Sequence, residues 1–338
     1  MIISMRRHAS RAEIDEVTQR IEEFGYKIHT IEGEERVVIG AIGVGDTSAC
    51  LDALEAMSQV EKAVRISAPY KFVSREFKPE KTVIHVGKDV TVGGEEFVVM
   101  AGPCSVESEK QILESAELAA RGGAKVLRGG AFKPRTSPYE FQGLGEKGLK
   151  LLDKARRATG LAVITELLSE NHTEMVAEYT DIIQIGARNS QNFQLLIAAA
   201  KTGKPVLLKR GLSMRIEEWL LAGEYVLANE NPNLMFCERG IRTFETYTRN
   251  TLDLSTIPII KRETHCPIVI DPSQGAGRAD LVSAMCKGAV AMGADALLIE
   301  VHPNPAEAWS DGAQQLSLDG FAKLMQELKP FIAAVGRE

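Results

Sequence analysis

The sequence predicts an α/β protein in two parts, a small βαββαβ domain followed by a (β/α)8 barrel. Two observations carry this. The first is a recurrence of eight short apolar runs: "VVMA" (98–101), "KVLR" (125–128), "AVIT" (162–165), "IIQI" (182–185), "VLLK" (206–209), "MFCE" (235–238), "IVID" (268–271) and "LLIE" (297–300). Each interval has room for one helix. Continuously apolar strands alternating with helices mean a parallel sheet covered on both faces, and eight such units suggest closure into a barrel. A doubly wound open sheet is the alternative. The second observation is that the first 67 residues follow a different order.

The elements follow in sequence. "IISM" is a short strand. From Ser10 the apolar positions Ile14, Val17, Ile21 and Phe24 fall on one helix face, and Gly25 stops it. "YKIHTIEG" and "ERVVIGAIG" form two strands around a turn at 32–35. Asp46 is placed to cap a second helix bearing Leu51, Leu54 and Met57, and "VEKAVRIS" closes the set. This is the split βαβ, ferredoxin-like order. The domains are therefore read as 1–68, a linker at 69–82 with prolines at 69 and 79, and a barrel at 83–338 that opens with a hairpin, "TVIHVGKDVTVGGEEF". Ser108 and Gln111 have the spacing of a capping box for the first barrel helix. The sixth unit is the least regular, because Pro258 interrupts its helical stretch.

Composition narrows the function. A net charge of −6 argues against nucleic acid or an acidic membrane as partner, so any anion site must be built locally. The cysteines at 50, 104, 237, 266 and 286 are odd in number and without a CxxC, which points to a reducing compartment. No signal peptide or membrane-length apolar run is present, and the expectation is a cytoplasmic protein.

Barrel enzymes carry their chemistry on the loops after the strands. Here those ends read Gly102-Pro103-Cys104; Arg128, then Lys133-Pro134-Arg135-Thr136; Glu166; Gly186-Ala187-Arg188; Lys209-Arg210; Glu238-Arg239; Asp271; and Glu300, then His302. A single Lys or Arg is usually a solvated surface residue. Cations converging from four strand ends are a different matter, since guanidinium forks grip phosphate and carboxylate. They imply one or two substrates with several negative charges. A second constellation is Cys104, Glu300 and Asp311. The first and eighth strands are neighbours in a closed barrel, so a thiol and two carboxylates can meet there; such a set suits Mn, Fe or Zn. For Cys104 alone, a buried inert thiol is the plainer reading. Glu166 either orients a lysine or a water, or is a structural ion-pair partner.

Together the motifs "AGPCSVES" (101–108), "LRGGAFKPRTSPYEFQGLGEKGL" (127–149), "IQIGARNSQNF" (183–193), "PVLLKRG" (205–211), "CERGIRTF" (237–244), "DPSQGAGR" (271–278) and "IEVHPNPAEAWSDGAQQL" (299–316) resemble the 3-deoxy-D-arabino-heptulosonate 7-phosphate (DAHP) synthases. The branch resembled is the one with an N-terminal ferredoxin-like regulatory domain. The resemblance implies condensation of phosphoenolpyruvate with erythrose 4-phosphate, the first step toward chorismate and the aromatic amino acids. It implies that Arg188, Lys209, Arg239 and the Ala187 amide hold the phosphate of phosphoenolpyruvate. Arg128 and Lys133 contact its carboxylate side, with Lys133 also a proton donor and Glu166 a catalytic carboxylate. Arg135 and Thr136 bind the phosphate of erythrose 4-phosphate. A divalent metal acting as Lewis acid is held by cysteine, histidine, glutamate and aspartate. Cys104, Glu300 and Asp311 match three of these, but Gln274 stands where the histidine belongs. An amide oxygen is a weaker ligand than imidazole for these metals. The expectation is therefore a metal site, with Gln274 as fourth ligand, that is weakened, altered in preference or absent. The family also implies an aromatic amino-acid effector on the small domain and a homo-oligomer, a tetramer or dimer.

Two competing readings remain at this level. One is a catalytically impaired paralogue that acts as regulatory partner, for instance of a chorismate mutase; the complete cation set argues against it. The other is a synthase with a different phosphorylated aldehyde acceptor. "GGAFKPRTS" is not a nucleotide-binding Walker loop, because it lacks the Gly-Lys-Ser/Thr ending.

Overall fold

A computed structural model describes residues 1–32, 36–43, 47–65 and 69–338. The chain forms two compact units, Met1–Glu80 and Lys81–Glu338.

In the first unit, β1 (Ile2–Met5), α1 (Arg11–Glu23), β2 (Lys27–Glu32), β3 (Val37–Ile42), α2 (Thr47–Glu55) and β4 (Val60–Val64) follow the expected order. The sheet runs β2-β3-β1-β4 with every neighbouring pair antiparallel. Helix α1 starts at Ser10 because its hydroxyl accepts from the Glu13 N–H while the Glu13 carboxylate accepts from the Ser10 N–H. This reciprocal cap satisfies two of the backbone N–H groups that a helix start leaves unpaired. Ile14, Val17 and Ile21 of α1 and Leu54 of α2 pack on Ile3, Met5 and Ile39 of the sheet. Residues 33–35 of the expected turn and the expected cap Asp46 lie outside the described residues. The stretch read as a linker is packed: a Cβ on Gly40 of β3 would stand 2.9 Å from the rings of both Phe72 and Phe77.

In the second unit a hairpin, β5 (Ile84–Val86) with β6 (Val90–Val92), precedes a closed parallel barrel. The barrel strands are β7 (Val98–Gly102), β8 (Val126–Arg128), β9 (Ala162–Glu166), β10 (Ile182–Ile185), β11 (Val206–Lys209), β12 (Leu234–Glu238), β13 (Ile268–Ile270) and β14 (Ala296–Glu300). Strand β14 pairs with β7, Glu300 opposite Gly102, which closes the ring. The open-sheet alternative is thereby excluded. The helices are α3 (Glu109–Gly122), α4 (Glu146–Thr159), α5 (Thr173–Tyr179), α6 (Phe193–Lys201), α7 (Ile216–Leu227), α8 (Thr256–Glu263), the one-turn α9 (Pro272–Ala276), α10 (Ala279–Ala291) and α11 (Leu318–Ala334).

The hairpin residues Ile84, Val86, Val90 and Val92 share one core cluster with inward residues of the barrel, among them Met100, Ile164 and Leu298. Gly87 of the hairpin lies against Ala162, the first residue of β9, and Gly93 against Pro267, just before β13. The hairpin thus closes the N-terminal end of the barrel and leaves the C-terminal end as its mouth. Two local expectations need correction. At α3 the Ser108 hydroxyl accepts from the Gln111 N–H, but the Gln111 side chain accepts from Glu107 N–H and donates to Ser105 O, so only half of the capping box forms. Pro258 does not interrupt α8. It lies in the first turn, where a missing N–H costs no intrahelical bond.

Candidate active site

The strand ends deliver the expected residues to one pocket in the barrel mouth. Arg128, Lys133, Arg135, Thr136, Glu166, Ala187, Arg188, Lys209, Arg239, Gln274 and Asp311 all line it. Cys104 and Glu300 lie just beneath, fully buried and bonded to lining residues.

The cations are held in different ways. Lys209, at the end of β11, donates to Asp271 Oδ2 at 2.5 Å, a buried pair that fixes the side chain where it lines the pocket. Arg128, at the end of β8, donates through Nη1 to Glu300 Oε1 at 2.6 Å. Its Nε is buried and has no hydrogen-bond partner among the described residues. An unpaired buried N–H costs about 1–3 kcal/mol, which an anionic ligand would recover. Arg239 donates to Gln274 Oε1 at 2.9 Å and to Gly240 O at 3.3 Å. Arg188 sits exposed on a single 3-10 turn, Ala187–Asn189, that follows β10. Arg135 pairs with Glu140 at 2.5 Å on the outer rim of the pocket, where Thr136 also lies.

Glu166, at the end of β9, accepts from Gln184 Nε2 at 3.3 Å. Its carboxylate occupies the space above Gly186, where a Cβ would come within 1.9 Å of Oε1. Glycine is therefore required at 186 for this rotamer.

Below the pocket, Lys133 Nζ donates to Cys104 Sγ and to Cys104 O, each at 3.0 Å. Cys104 donates to Asp311 Oδ2 at 3.4 Å. Burial, reinforced by Glu300, pushes the Cys104 thiol up to about 11. Asp311 has the opposite balance. Burial works against its charge, yet Arg249 and Lys133 bring it down to about 2. Asp311 also holds a left-handed backbone at φ 51°, a conformation that non-glycine residues rarely adopt. One ligand atom each from Cys104, Glu300 and Asp311 lies within 4.8 Å of the others, close enough to share a metal ion.

Gln274 departs from the expectation of an amide oxygen in that group. Its Nε2 donates to Glu300 Oε1 at 2.9 Å and to Asp311 Oδ2 at 3.3 Å, while its oxygen faces Arg239. The three acidic and thiol donors fit a metal; the fourth position, as arranged, presents hydrogen instead of a lone pair. His302 does not take its place. It is buried beside Glu107 at 3.2 Å, and its Nδ1 accepts from the Asn304 N–H. That leaves the hydrogen on Nε2, aimed at Glu107.

Sequence reasoning missed two contributors. Arg249 lines the pocket and pairs with Asp311 at 3.2 Å. Gln314 accepts from Arg249 and donates to Glu300 Oε2 at 2.7 Å. Arg249 lies in the long excursion between β12 and α8, which has no periodicity to mark it. Conversely, Arg210 and Glu238, which also stand at strand ends, turn out of the pocket. Arg210 Nη1 bonds Glu238, Asp253 and Thr256 at 3.0–3.1 Å, a buried structural network.

Fold and site define a (β/α)8 barrel enzyme built to bring together small, multiply anionic substrates. Comparison with known proteins makes this specific. The chain belongs to the DAHP synthetase I family, whose model matches residues 76–334, and a DAHP synthase ferredoxin-like domain matches residues 1–68. The phospho-2-dehydro-3-deoxyheptonate aldolase of Thermotoga maritima is 50% identical over 336 residues, covering 99% of each chain. The crystal structure of that DAHP synthase aligns with a TM-score of 0.79 at 49% identity, covering 100% of this chain and 98% of that one. The 2-dehydro-3-deoxyphosphooctonate aldolase of Syntrophotalea carbinolica is more distant, 34% identical over 73% of this chain and 95% of its own length.

Proposed function

We infer that the chain condenses phosphoenolpyruvate with erythrose 4-phosphate to give DAHP and inorganic phosphate, an aldol-type transfer that opens aromatic amino-acid biosynthesis. The observation that carries this is the full-length, 50% identity to a DAHP synthase. The cation-lined pocket supplies the chemistry.

In this reading Arg188, Lys209 and Arg239, with the Ala187 N–H, hold the phosphate of phosphoenolpyruvate. The unpartnered Arg128 Nε supports a contact between Arg128 and its carboxylate. Arg135 and Thr136 on the rim take the phosphate of the aldehyde. The enol π pair of phosphoenolpyruvate attacks the aldehyde carbon, and the carbonyl π pair moves onto oxygen. That oxygen takes a proton from the Lys133 ammonium, which the nearby sulfur of Cys104 and Glu300 keep protonated against the effect of burial. Water adds to the adjacent carbon, oriented by Glu166, and its proton restores the ammonium. The resulting phosphorylated hemiketal expels phosphate, which leaves with the hemiketal proton, and a ketone remains. Carbons and charges balance with one water consumed per turn.

The domain at 1–68 is read as the sensor for an aromatic amino-acid effector. These residues match a DAHP synthase ferredoxin-like domain, and calorimetric titration of the full chain with tyrosine and phenylalanine tests the effector role. A homo-oligomer, dimer or tetramer, is expected from the family resemblance. No helix among the described residues is long and apolar enough to cross a membrane, which accords with a cytoplasmic enzyme.

The choice of acceptor is the point that needs experiment. A heptonate from a three-carbon enol requires a four-carbon aldehyde, whereas the octonate of the distant relatives requires five. Product analysis after incubating phosphoenolpyruvate with erythrose 4-phosphate or with a five-carbon aldose phosphate separates them. The seven-carbon product is expected, and an eight-carbon product would overturn the assignment.

A further inference from the structure

The arrangement around Gln274 carries a further inference, one that rests on the condensation above. An amide's oxygen and nitrogen look alike, so its orientation must be decided by its partners. Here they leave no choice. Arg239 is an obligate donor, and Glu300 and Asp311 as carboxylates are obligate acceptors. Turning the amide over would set its oxygen against two carboxylate oxygens and its NH2 against a guanidinium. Coordination of a cation by that oxygen would also strip Arg239, itself 5% exposed, of a buried acceptor.

The other atoms facing the centre are equally committed. Glu300 Oε1 accepts from Arg128 and Gln274, and Glu300 Oε2 from Gln314. Asp311 Oδ1 pairs with Arg249, and Oδ2 accepts from Gln274 and from the Cys104 thiol. Cys104 Sγ accepts from Lys133. Three cations, Arg128, Lys133 and Arg249, already face two carboxylates, so the charge of this cluster is met by the protein. A dication would have to displace several N–H donors and would raise an existing positive excess.

We propose that this chain carries out its condensation without a divalent metal, and that Gln274 is the positioning residue that makes this so. Its NH2 bridges Glu300 and Asp311 in the place a cation would take. Its oxygen ties the same cluster to Arg239, a residue of the phosphate set. Lys133, whose Nζ is hydrogen-bonded to Cys104 Sγ at 3.0 Å, lines the same pocket to face the developing charge on the aldehyde oxygen.

Two readouts on the full-length protein test this. The first is phosphoenolpyruvate consumption with erythrose 4-phosphate after exhaustive chelation, with and without added Mn, Fe or Zn. The second is titration with Co(II), followed by the charge-transfer absorption of a cobalt–thiolate bond, which reads metal binding whether or not the enzyme turns over. The expected result is no loss of activity on chelation, no gain with metal, and no cobalt–thiolate band. Gln274→His, which restores a lone-pair donor, is expected to acquire the band and to become chelator-sensitive. Activity that vanishes with chelator and returns with metal, or a band at one equivalent of cobalt in the unmodified chain, would overturn the proposal. A folded Gln274→His that gains no band would overturn the role given to Gln274. Absence of turnover under every condition would count against the condensation itself, and the cobalt titration would still decide the metal question.

Discussion

At the residue scale the site separates side chains that hold substrate from those that also hold the protein. Arg188 is exposed on its turn with no ion-pair partner among the described residues, so its loss should cost affinity alone. Charge-assisted bonds contribute about 1.5–3 kcal/mol, so Arg188→Ala is expected to raise KM for phosphoenolpyruvate by about 10- to 100-fold. Its thermal midpoint should not change. Lys209→Met should lose activity and stability together, because it leaves Asp271 buried without its partner; truncating one side of a buried pair costs about 3–5 kcal/mol. Kinetics and urea denaturation on the two variants check the contrast. A third case is Gly186→Ala. Its Cβ would force Glu166 out of position, so kcat should fall with little change in KM for either substrate. The cationic residues were legible in sequence because strand ends in a barrel are a fixed address. The orientation of Gln274 was not, since it depends on partners from β12, β14 and the loop at 311, which no local pattern relates.

At the scale of elements, the apolar runs located all eight barrel strands, because a strand buried on both faces has little freedom in composition. The excursion from Arg239 to Ser255 had no such signal, and with it went Arg249. What anchors that excursion is the network of Arg210 with Glu238, Asp253 and Thr256. Burial also raises the pKa of Glu238 and is only partly offset by Arg210. Removing the cation as Arg210→Met should therefore cost about 3–5 kcal/mol, read as a lower urea midpoint. Activity should fall through displacement of Arg249 and Arg239 rather than through any contact of Arg210 with substrate. Half of the expected capping box at α3 failed for a related reason: Gln111 was claimed by the Glu107–Ser105 turn, a tertiary demand invisible to spacing.

At the scale of the molecule, a chain of net charge −6 nevertheless brings seven Lys and Arg side chains to one barrel mouth. Substrate capture should then depend on salt. The exposed Arg188 is the group most open to screening, whose length at physiological ionic strength is about 8 Å. KM for phosphoenolpyruvate is expected to rise with ionic strength while kcat changes little; a KM independent of salt would count against Arg188 as a phosphate contact. The two-part organisation was also legible, although the stretch read as a linker, 69–82, proved in part to be packed chain. Phe72 and Phe77 find a flat apolar seat over Gly40 that only the folded sheet creates.

The measurement that bears most directly on the account is the release of inorganic phosphate from phosphoenolpyruvate by the full-length chain, followed with and without erythrose 4-phosphate. The account predicts release that depends strictly on the aldehyde, with one phosphate formed for each phosphoenolpyruvate consumed. Release without the aldehyde, or none in its presence, would contradict it.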